Sequence, residues 1–512
     1  MLKKLASLLL LFCLSAAFVF AQDDDALTVY KIRNIDFNIS GKRGSGYSRP
    51  FAILNNGKLA EGDEMTGREN LDAYIRDRTQ RLVNLRMFEN DVRIDYTLGE
   101  AGEDGKVPVD LLVTLRDGGS IIVFPMPSYS TSEGFDITLK YRDSNFLGLM
   151  APFKVDFGYA INTKNESSFN ALIDTEIPFK ALGFNWNVNF DNEFNYFLEE
   201  PLTYKNTTGL SMDLPFKRTT FTFDAEHYIN VNVKNNDRNV DRGFGKYFDG
   251  VFNSVEISAA WEIPTSINVG RYGELTYTPK ISEEIVYNPG GQDEYEFLNL
   301  RKGPFTKLEQ EFGFNRVDWK GNFREGLDVS FKNTNTFNHN QNVWNIDYSL
   351  NETGHFILTD FLGISERFEL RQWFYNYPDK VAYDLGDRLR GIKDDEIEGS
   401  LMISLNAELP VHIFTLSVFN WFKSPKIKPL NLDFFLSPFF DMGMVYLPDD
   451  LNTRKTGQDT VNMYYTGGAE LLVFFEFSHS HYLRVNFGVD IGGTVKTGEF
   501  KYEISAGLGH SF

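Results

Sequence analysis

The chain of 512 residues carries a single cysteine, Cys13. It lies in an N-terminal apolar stretch, so the rest of the chain has no thiol, and disulfide staples and thiolate chemistry are excluded. A lipid anchor on Cys13 would need a lipobox. Leu10-Leu11-Phe12-Cys13 does not provide one, because a bulky Phe precedes the cysteine and apolar residues follow it. Beyond residue 21 there is no run of about 18 apolar residues, so no transmembrane helix is expected. Low-complexity blocks are absent as well. The seven histidines are scattered. His479-Ser480-His481 falls at a turn with no acid or cysteine at ligand spacing, so no metal site is expected. No Gly-rich phosphate loop leads from a strand into a helix, and no Ser-His signature of a barrel lipase is visible. Neither a catalytic centre nor a cofactor is therefore expected. Basic charge is in deficit, with 51 Lys and Arg against 71 Asp and Glu and a net charge of -20. That balance argues against nucleic acid as a partner.

What is present begins with an export signal. Met1-Leu2-Lys3-Lys4 is a short basic region, Leu5 to Phe20 is apolar, and Val19-Phe20-Ala21 offers a cleavage site before Gln22-Asp23-Asp24-Asp25. Residues 1–21 read as a secretory signal peptide. Aromatics make up 15% of the chain, with 47 Phe and 24 Tyr, yet mean hydropathy is only -0.30. A water-soluble chain with that aromatic load would need a very large core. A transmembrane β-barrel resolves the tension, because alternate residues face lipid and the others face a polar lumen.

Residues 28–117 read as a small α+β domain. Tyr30 to Ile39 is a strand with Ile35, Phe37 and Ile39 on one face, and Asn55-Asn56-Gly57 closes a short first helix. Thr66-Gly67-Arg68-Glu69 fits a capping box with Thr66 at the N-cap. The helix after it carries Leu71, Ile75, Leu82 and Leu85 at helical spacing. Strands at Val92–Tyr96 and Val109–Val113 flank the Gly-rich hairpin Gly99 to Gly105. The expected order is β-α-α-β-β.

From residue 120 to 512, period-2 alternation replaces helical periodicity. Phe135, Ile137, Leu139 and Tyr141 alternate with Asp136, Thr138 and Lys140, and Leu483, Val485, Phe487 and Val489 alternate with Arg484, Asn486, Gly488 and Asp490. No helices are available to cover so many aromatic-rich faces, so an antiparallel transmembrane barrel is expected. Strand starts are readable near Ser120, Phe135, Ala151, Ser167, Leu182, Gly209, Thr220, Ser254, Gly273, Lys307, Gly326, Val343 and Ile364, then near Gly399, Leu432, Tyr464, Tyr482 and Lys501. The four segments between Gly209 and Val286 are the weakest, and two of them read equally as merged strands or loop. Single-chain bacterial barrels have an even count, so sixteen strands are expected, with eighteen open. The last strand places Tyr502, Ile504, Ala506, Leu508, His510 and Phe512 outward, and Glu503, Ser505, Gly507, Gly509 and Ser511 inward. A terminal aromatic closing such a strand resembles the recognition signal of outer-membrane proteins in general.

The most informative stretch is Leu389-Arg390-Gly391-Ile392, within a loop spanning residues 377–398. In the strand after it, alternation places Met402, Ser404, Asn406 and Glu408 on the lumen face, and in the next strand Asp441 shares that face with Ser437 and Gly443. Two carboxylates on neighbouring strands in a narrow lumen repel each other unless a cation intervenes. One guanidinium can serve both. Arg390 is therefore expected to be an internal latch held by Glu408 and Asp441, with Gly391 permitting the turn.

These residues resemble a known family, the BamA-type outer-membrane assembly and translocation barrels, also called bacterial surface antigens. Leu389-Arg390-Gly391-Ile392 is similar to the family's "[VIL]RGF" loop motif, with Ile392 in place of Phe. Gly399, Asn406-Ala407-Glu408-Leu409-Pro410 and Phe439-Phe440-Asp441-Met442-Gly443 follow in the family's order. Tyr141 to Gly148 and Gly321 to Gly326 resemble its second strand and the loop near its eighth. Arg86-Met87-Phe88 resembles a segment of its periplasmic POTRA domains, and one such unit fits before the barrel. The resemblance implies a non-enzymatic protein of the outer membrane, with a POTRA-like domain in the periplasm. It would capture unfolded outer-membrane proteins and pass them into outer-membrane lipid through a weak seam at the last strand, where Tyr502, Gly507, Gly509 and Phe512 lie. Accessory periplasmic lipoproteins are compatible partners. Two alternatives stay open: a secretion pore for one dedicated partner, and a passive channel or surface antigen that keeps only the fold.

Overall fold

The computed structural model describes residues 28–41, 47–88, 92–118, 120–130, 134–162, 165–197, 203–232, 250–287, 304–340, 342–374, 383–384, 388–392, 397–417, 431–448, 459–475 and 478–510. The expected signal peptide and Phe512 lie outside these, as does much of loop 377–398.

The N-terminal unit is built from β1 (Val29–Gly41), α1 (Pro50–Gly57), β2 (Glu64–Thr66), α2 (Arg68–Asn84), β3 (Arg93–Leu98) and β4 (Val107–Asp117). Its sheet runs β2-β1-β4-β3, with β1 and β4 parallel. Alternate residues Val109, Leu111, Val113 and Leu115 of β4 are buried against Leu71 and Leu82 of α2 and Ile53 of α1. The first helix ends at Gly57, and Lys58 adopts the left-handed conformation. The second helix differs from expectation. Thr66 does not cap it. The Gly67 N–H donates to the Thr28 carbonyl, Thr66 pairs with Val29, and this edge strand holds Thr66 extended. Gly67 takes the N-cap position, with no side-chain cap. The order is therefore β-α-β-α-β-β.

The remainder is a closed antiparallel barrel. Its first half comprises β5 (Ile121–Ser130), β6 (Gly134–Asp143), β7 (Phe153–Ile161), β8 (Ser167–Ala181), β9 (Phe184–Phe197), β10 (Thr203–Phe216), β11 (Thr219–Asn232), β12 (Gly250–Asn268) and β13 (Glu274–Tyr287). It continues through β14 (Phe305–Lys320), β15 (Phe323–Asn338), β16 (Val343–Thr359) and β17 (Leu362–Phe374). Strand β18 follows as Leu401–Glu408 and Val411–Ser417, two segments of one strand broken at Leu409-Pro410, since both pair with the next strand in one continuous register. The last four are β19 (Asn431–Leu447), β20 (Thr460–Phe475), β21 (Ser478–Asp490) and β22 (Tyr502–His510), with a short helix α3 (Ile491–Thr497) between the last two. Counting β18 once gives eighteen strands, not sixteen. The four weak segments, β10 to β13, are separate strands, and tight turns such as Lys217-Arg218 allow each to return on its neighbour.

The two faces divide as alternation requires. Ile137, Leu139, Phe157, Ile257 and Trp261 are exposed on the outer surface, while Thr138, Asp156, Ser254, Ser258 and Ser404 are buried in the interior. An apolar outside and a polar inside is the arrangement of a chain dissolved in lipid.

The N-terminal unit is fixed to one end of the barrel at two places. At the β6–β7 turn, the Ser48 hydroxyl donates to Asp117 at 2.6 Å and accepts from Asn145 at 2.9 Å, and the Arg49 N–H donates to the Gly148 carbonyl at 2.8 Å. At the β14–β15 turn, Asn84 accepts from the Trp319 N–H at 3.1 Å and donates to Asp318 at 2.9 Å. Asp77 pairs with Arg316 there, and the Arg86 guanidinium lies 3.9 Å from the centre of the Trp319 ring. These two turns are eight strands apart on a ring of eighteen. They are nearly opposite, so the unit bridges the mouth.

Burial disfavours the charge on Asp77, but Arg81, Arg316 and Arg78 outweigh it and hold the carboxyl below its usual range. A depressed native value means that this stabilisation is complete above the unfolded value of about 4 and is lost as pH falls below it. Protection from hydrogen exchange in residues 316–322, taken relative to the intrinsic rate at each pH, should be the same at pH 7 and pH 5 and fall below about pH 4. Asp77→Asn should show the faster exchange already at neutral pH.

Candidate functional site

The site forms where the loop after β17 turns back into the lumen. Leu389 is 1% exposed, anchored among Ile397, Met402 and Val445 with Ile392 and Tyr464 beside it. Ile392 thus supplies aliphatic packing where the family motif has an aromatic. Gly391 sits at φ +97°, and a Cβ there would come within 2.8 Å of the Gly488 and Val489 backbone of β21. Glycine is required at 391 both for the backbone angle and for this approach.

Between these two residues Arg390 projects into a ring of acids. Its Nε donates to Asp441 Oδ2 at 2.9 Å and its Nη2 to Asp441 Oδ1 at 2.6 Å. The Arg390 backbone N–H also donates to Asp441, at 3.1 Å. Nη1 donates to Glu408 Oε2 at 2.9 Å and lies 3.6 Å from Glu470 Oε2. The guanidinium carbon is 3.8 Å from the centre of the Phe439 ring. Asp441 is 0% and Glu470 2% exposed, so these carboxylates depend on protein partners for compensation. Arg484 of β21 supplies a second cation, its Nε donating to Glu470 at 2.7 Å. The carboxylates converge on guanidinium groups, and among the described residues no group of three or more His, Cys, Asp or Glu is placed to hold a metal ion.

Arg390, Glu408 and Asp441 therefore meet. Gly443 stands on the same face, opposite Ser404. Glu470 was not identified from sequence; Phe439 was named only within its motif, and Arg484 and Glu503 of β22 only by their place in alternating strands, though Glu503 Oε2 accepts from the Gly391 N–H at 3.1 Å. The single acid in the run Thr466 to Phe475 was a usable signal for Glu470. Arg388 is held elsewhere. It lies 3.2 Å from Glu369, which also has Arg371 at 2.6 Å and Arg367 at 3.7 Å.

Among the described residues, β5 and β22 pair at Ser505 with Ser130 and at Ala506 with Tyr129, and residues 125–128 of β5 have no ladder to residues 507–510 of β22. By contrast β14 and β15 share sixteen residue pairs. Tyr502 faces outward. Gly507 follows the last pair, and a Cβ on it would meet the Met126 side chain at 3.5 Å. Gly509 is bound to Tyr482 on the other side.

One Ser-His contact does occur. His355 Nδ1 lies 2.9 Å from Ser365 Oγ on the adjacent strand, but His355 Nε2 has no hydrogen-bond partner. Among the described residues no acid is hydrogen-bonded to the ring, as the orienting acid of a triad base would be.

These features define a class: a membrane-spanning β-barrel with an α+β domain across one mouth, an ion-paired loop in its lumen and a short seam. No family model and no curated protein matches the sequence. Among solved structures, CdiB from Escherichia coli is 11% identical with a TM-score of 0.48, covering 94% of this chain and 76% of that one. CdiB from Acinetobacter baumannii is 12% identical with a TM-score of 0.42, covering 94% and 74%. BamA from Haemophilus ducreyi lacking POTRA domains 1-3 is 12% identical with a TM-score of 0.38, covering 94% and 85%.

Arg390→Ala leaves Asp441 and Glu470 buried without their shared cation, a loss of about 3–5 kcal/mol for a broken buried pair. Arg388→Ala leaves Glu369 with two other arginines. Hydrogen exchange at residues 388–392 should accelerate strongly in the first variant and little in the second. Equal exchange in both would refute the latch. Gly391→Ala should free the loop as Arg390→Ala does, because the added Cβ strikes backbone.

Proposed function

We propose that the chain is an outer-membrane protein assembly factor that receives unfolded β-barrel proteins and inserts them into outer-membrane lipid. One observation carries this reading: among the described residues, the ladder between β5 and β22 stops at Tyr129 and Ala506, and residues 125–128 stand unpaired with residues 507–510. A passive channel or antigen gains nothing from an unfinished seam, since unpaired backbone in hydrocarbon is costly. An insertase needs a place where strands can enter the wall.

The other parts fit the same task. Residues 1–21 direct export, and residues 28–117 act as a POTRA-like periplasmic domain. Its sheet ends in the three-residue edge strand β2 on one side and β3 on the other, edges to which an extended substrate can be added by backbone hydrogen bonding. The Arg390 latch keeps the loop on the inner wall beside β22. Accessory periplasmic lipoproteins are compatible with the domain's position, and the chemistry requires no cofactor.

Depletion of the protein tests the reading. The expected result is loss of many unrelated barrels from the outer membrane. Loss of one exported protein alone would instead indicate a dedicated secretion pore, and an unchanged outer membrane would indicate a channel or surface antigen.

A further inference from the structure

The cause of the short seam lies in β5. Successive residues of an antiparallel strand point their N–H and C=O groups to opposite neighbours. The Ser144 N–H donates to the Ser120 carbonyl at 3.0 Å, and these residues stand opposite each other when the β5–β6 register is extended by one step. Even-numbered residues of β5 therefore bond β6, and odd-numbered residues face the seam. Tyr129, paired with Ala506, obeys this parity. On the other side, the Asp490 N–H donates to the Lys501 carbonyl at 3.0 Å, so in β22 the even-numbered residues face the seam.

Below Tyr129, the next two seam-facing residues of β5 are Pro127 and Pro125, which have no N–H to donate. If the register continued, they would stand opposite Leu508 and His510. Each position would lose one of its two ladder bonds, and the carbonyls of Leu508 and His510 would have no donor. The ladder stops at Tyr129. Pro178, Pro215, Pro264, Pro279 and Pro438 show that other barrel strands tolerate a single proline. Two on one edge at consecutive bonding positions occur, among the described barrel strands, only in β5. The edge of β22 keeps both donors and acceptors at Leu508 and His510, whereas the edge of β5 keeps acceptors alone at the facing Pro127 and Pro125.

We propose that Pro125 and Pro127 make the seam one-sided: they keep β5 and β22 unzipped below Tyr129, and an extended polypeptide strand entering the wall there is received by the edge of β22. The unzipping stands on the hydrogen-bond geometry; the receipt of a strand rests on the assembly reading above.

Both halves are tested on the full-length protein in lipid nanodiscs, in a Cys13→Ser background. Met126→Cys and Gly509→Cys would stand opposite each other if the ladder continued. Their disulfide yield should be low with the prolines present and rise several-fold when Pro125→Val and Pro127→Val are added. Pro125→Val alone serves where the double replacement does not fold. A Ser130→Cys/Ser505→Cys pair, at a laddered position, should form in every background. Equal Met126→Cys/Gly509→Cys yields with and without the prolines overturn the proposal. In a second arm, Ser128→Cys or Gly507→Cys is offered an unfolded outer-membrane barrel protein with one cysteine in its terminal strand. Adducts should form chiefly at Gly507→Cys, and a majority at Ser128→Cys overturns the one-sidedness. No adduct at either position, with the disulfide result as expected, rejects strand receipt and the assembly reading together while the unzipping role holds.

Discussion

The bidentate contact between Arg390 and Asp441 is the interaction on which the lumen depends. Asp441 is fully buried, and a carboxylate in that position persists only with a cation and hydrogen bonds around it. Arg390 supplies three donors to it, including its own backbone N–H. The same guanidinium neutralises Glu408 on β18 and approaches Glu470 on β20. Three neighbouring strands thus share one cation that belongs to none of them. Without it their inward faces would repel each other, and the loop would have no defined seat. A buried ion pair adds little net stability over apolar packing, and its main contribution is to specify one arrangement. Here the arrangement specified is the position of residues 388–392 against the inner wall.

The wall itself is uneven, and the unevenness has an orientation. The seam lies between the first and last barrel strands. The β14–β15 hairpin, with its full ladder, lies on the opposite side of the ring. The N-terminal domain grips that hairpin through Asn84, Asp77 and Arg86, and grips the β6–β7 turn, next to the seam, through Ser48 and Asn145. It therefore connects a fully laddered part of the wall to the part beside the seam. Motion of β5 and β6 relative to β14 and β15 must strain one of these two contacts or move the domain.

Much of this was readable from residue order, for a simple physical reason: a period of two assigns each residue to a face. That placed Glu408 and Asp441 inward, and an Arg-Gly pair in the loop before the Glu408 strand suggested the cation. Depth along the barrel is not encoded by alternation, so Glu470, Arg484 and Glu503 were recognisable as inward residues but not as members of one cluster. The strand count fell short because β10 to β13 are rich in Asn, Thr and Glu, which weakens the apolar half of the pattern without disturbing the ladder. Thr66 had the spacing of a helix cap, but pairing with β1 claimed its backbone first. Pro125 and Pro127 were visible throughout. Their meaning depends on which neighbour each peptide faces, and only the register reveals it.

The last strand is consequently held in an unusual way. Among the described residues it receives two residue pairs from β5 and nine from β21. A third restraint comes from within the lumen, where Glu503 accepts from the Gly391 N–H and the neighbouring Gly488 of β21 meets Gly391 backbone to backbone. The second contact works only because both residues lack a Cβ. The loop that Arg390 fixes to β18 and β19 thus also braces β21 and β22 from inside. Where the wall lacks lateral hydrogen bonds, the lumen supplies part of the support. Release of Arg390 would then be felt at the seam without any change in the seam's own residues.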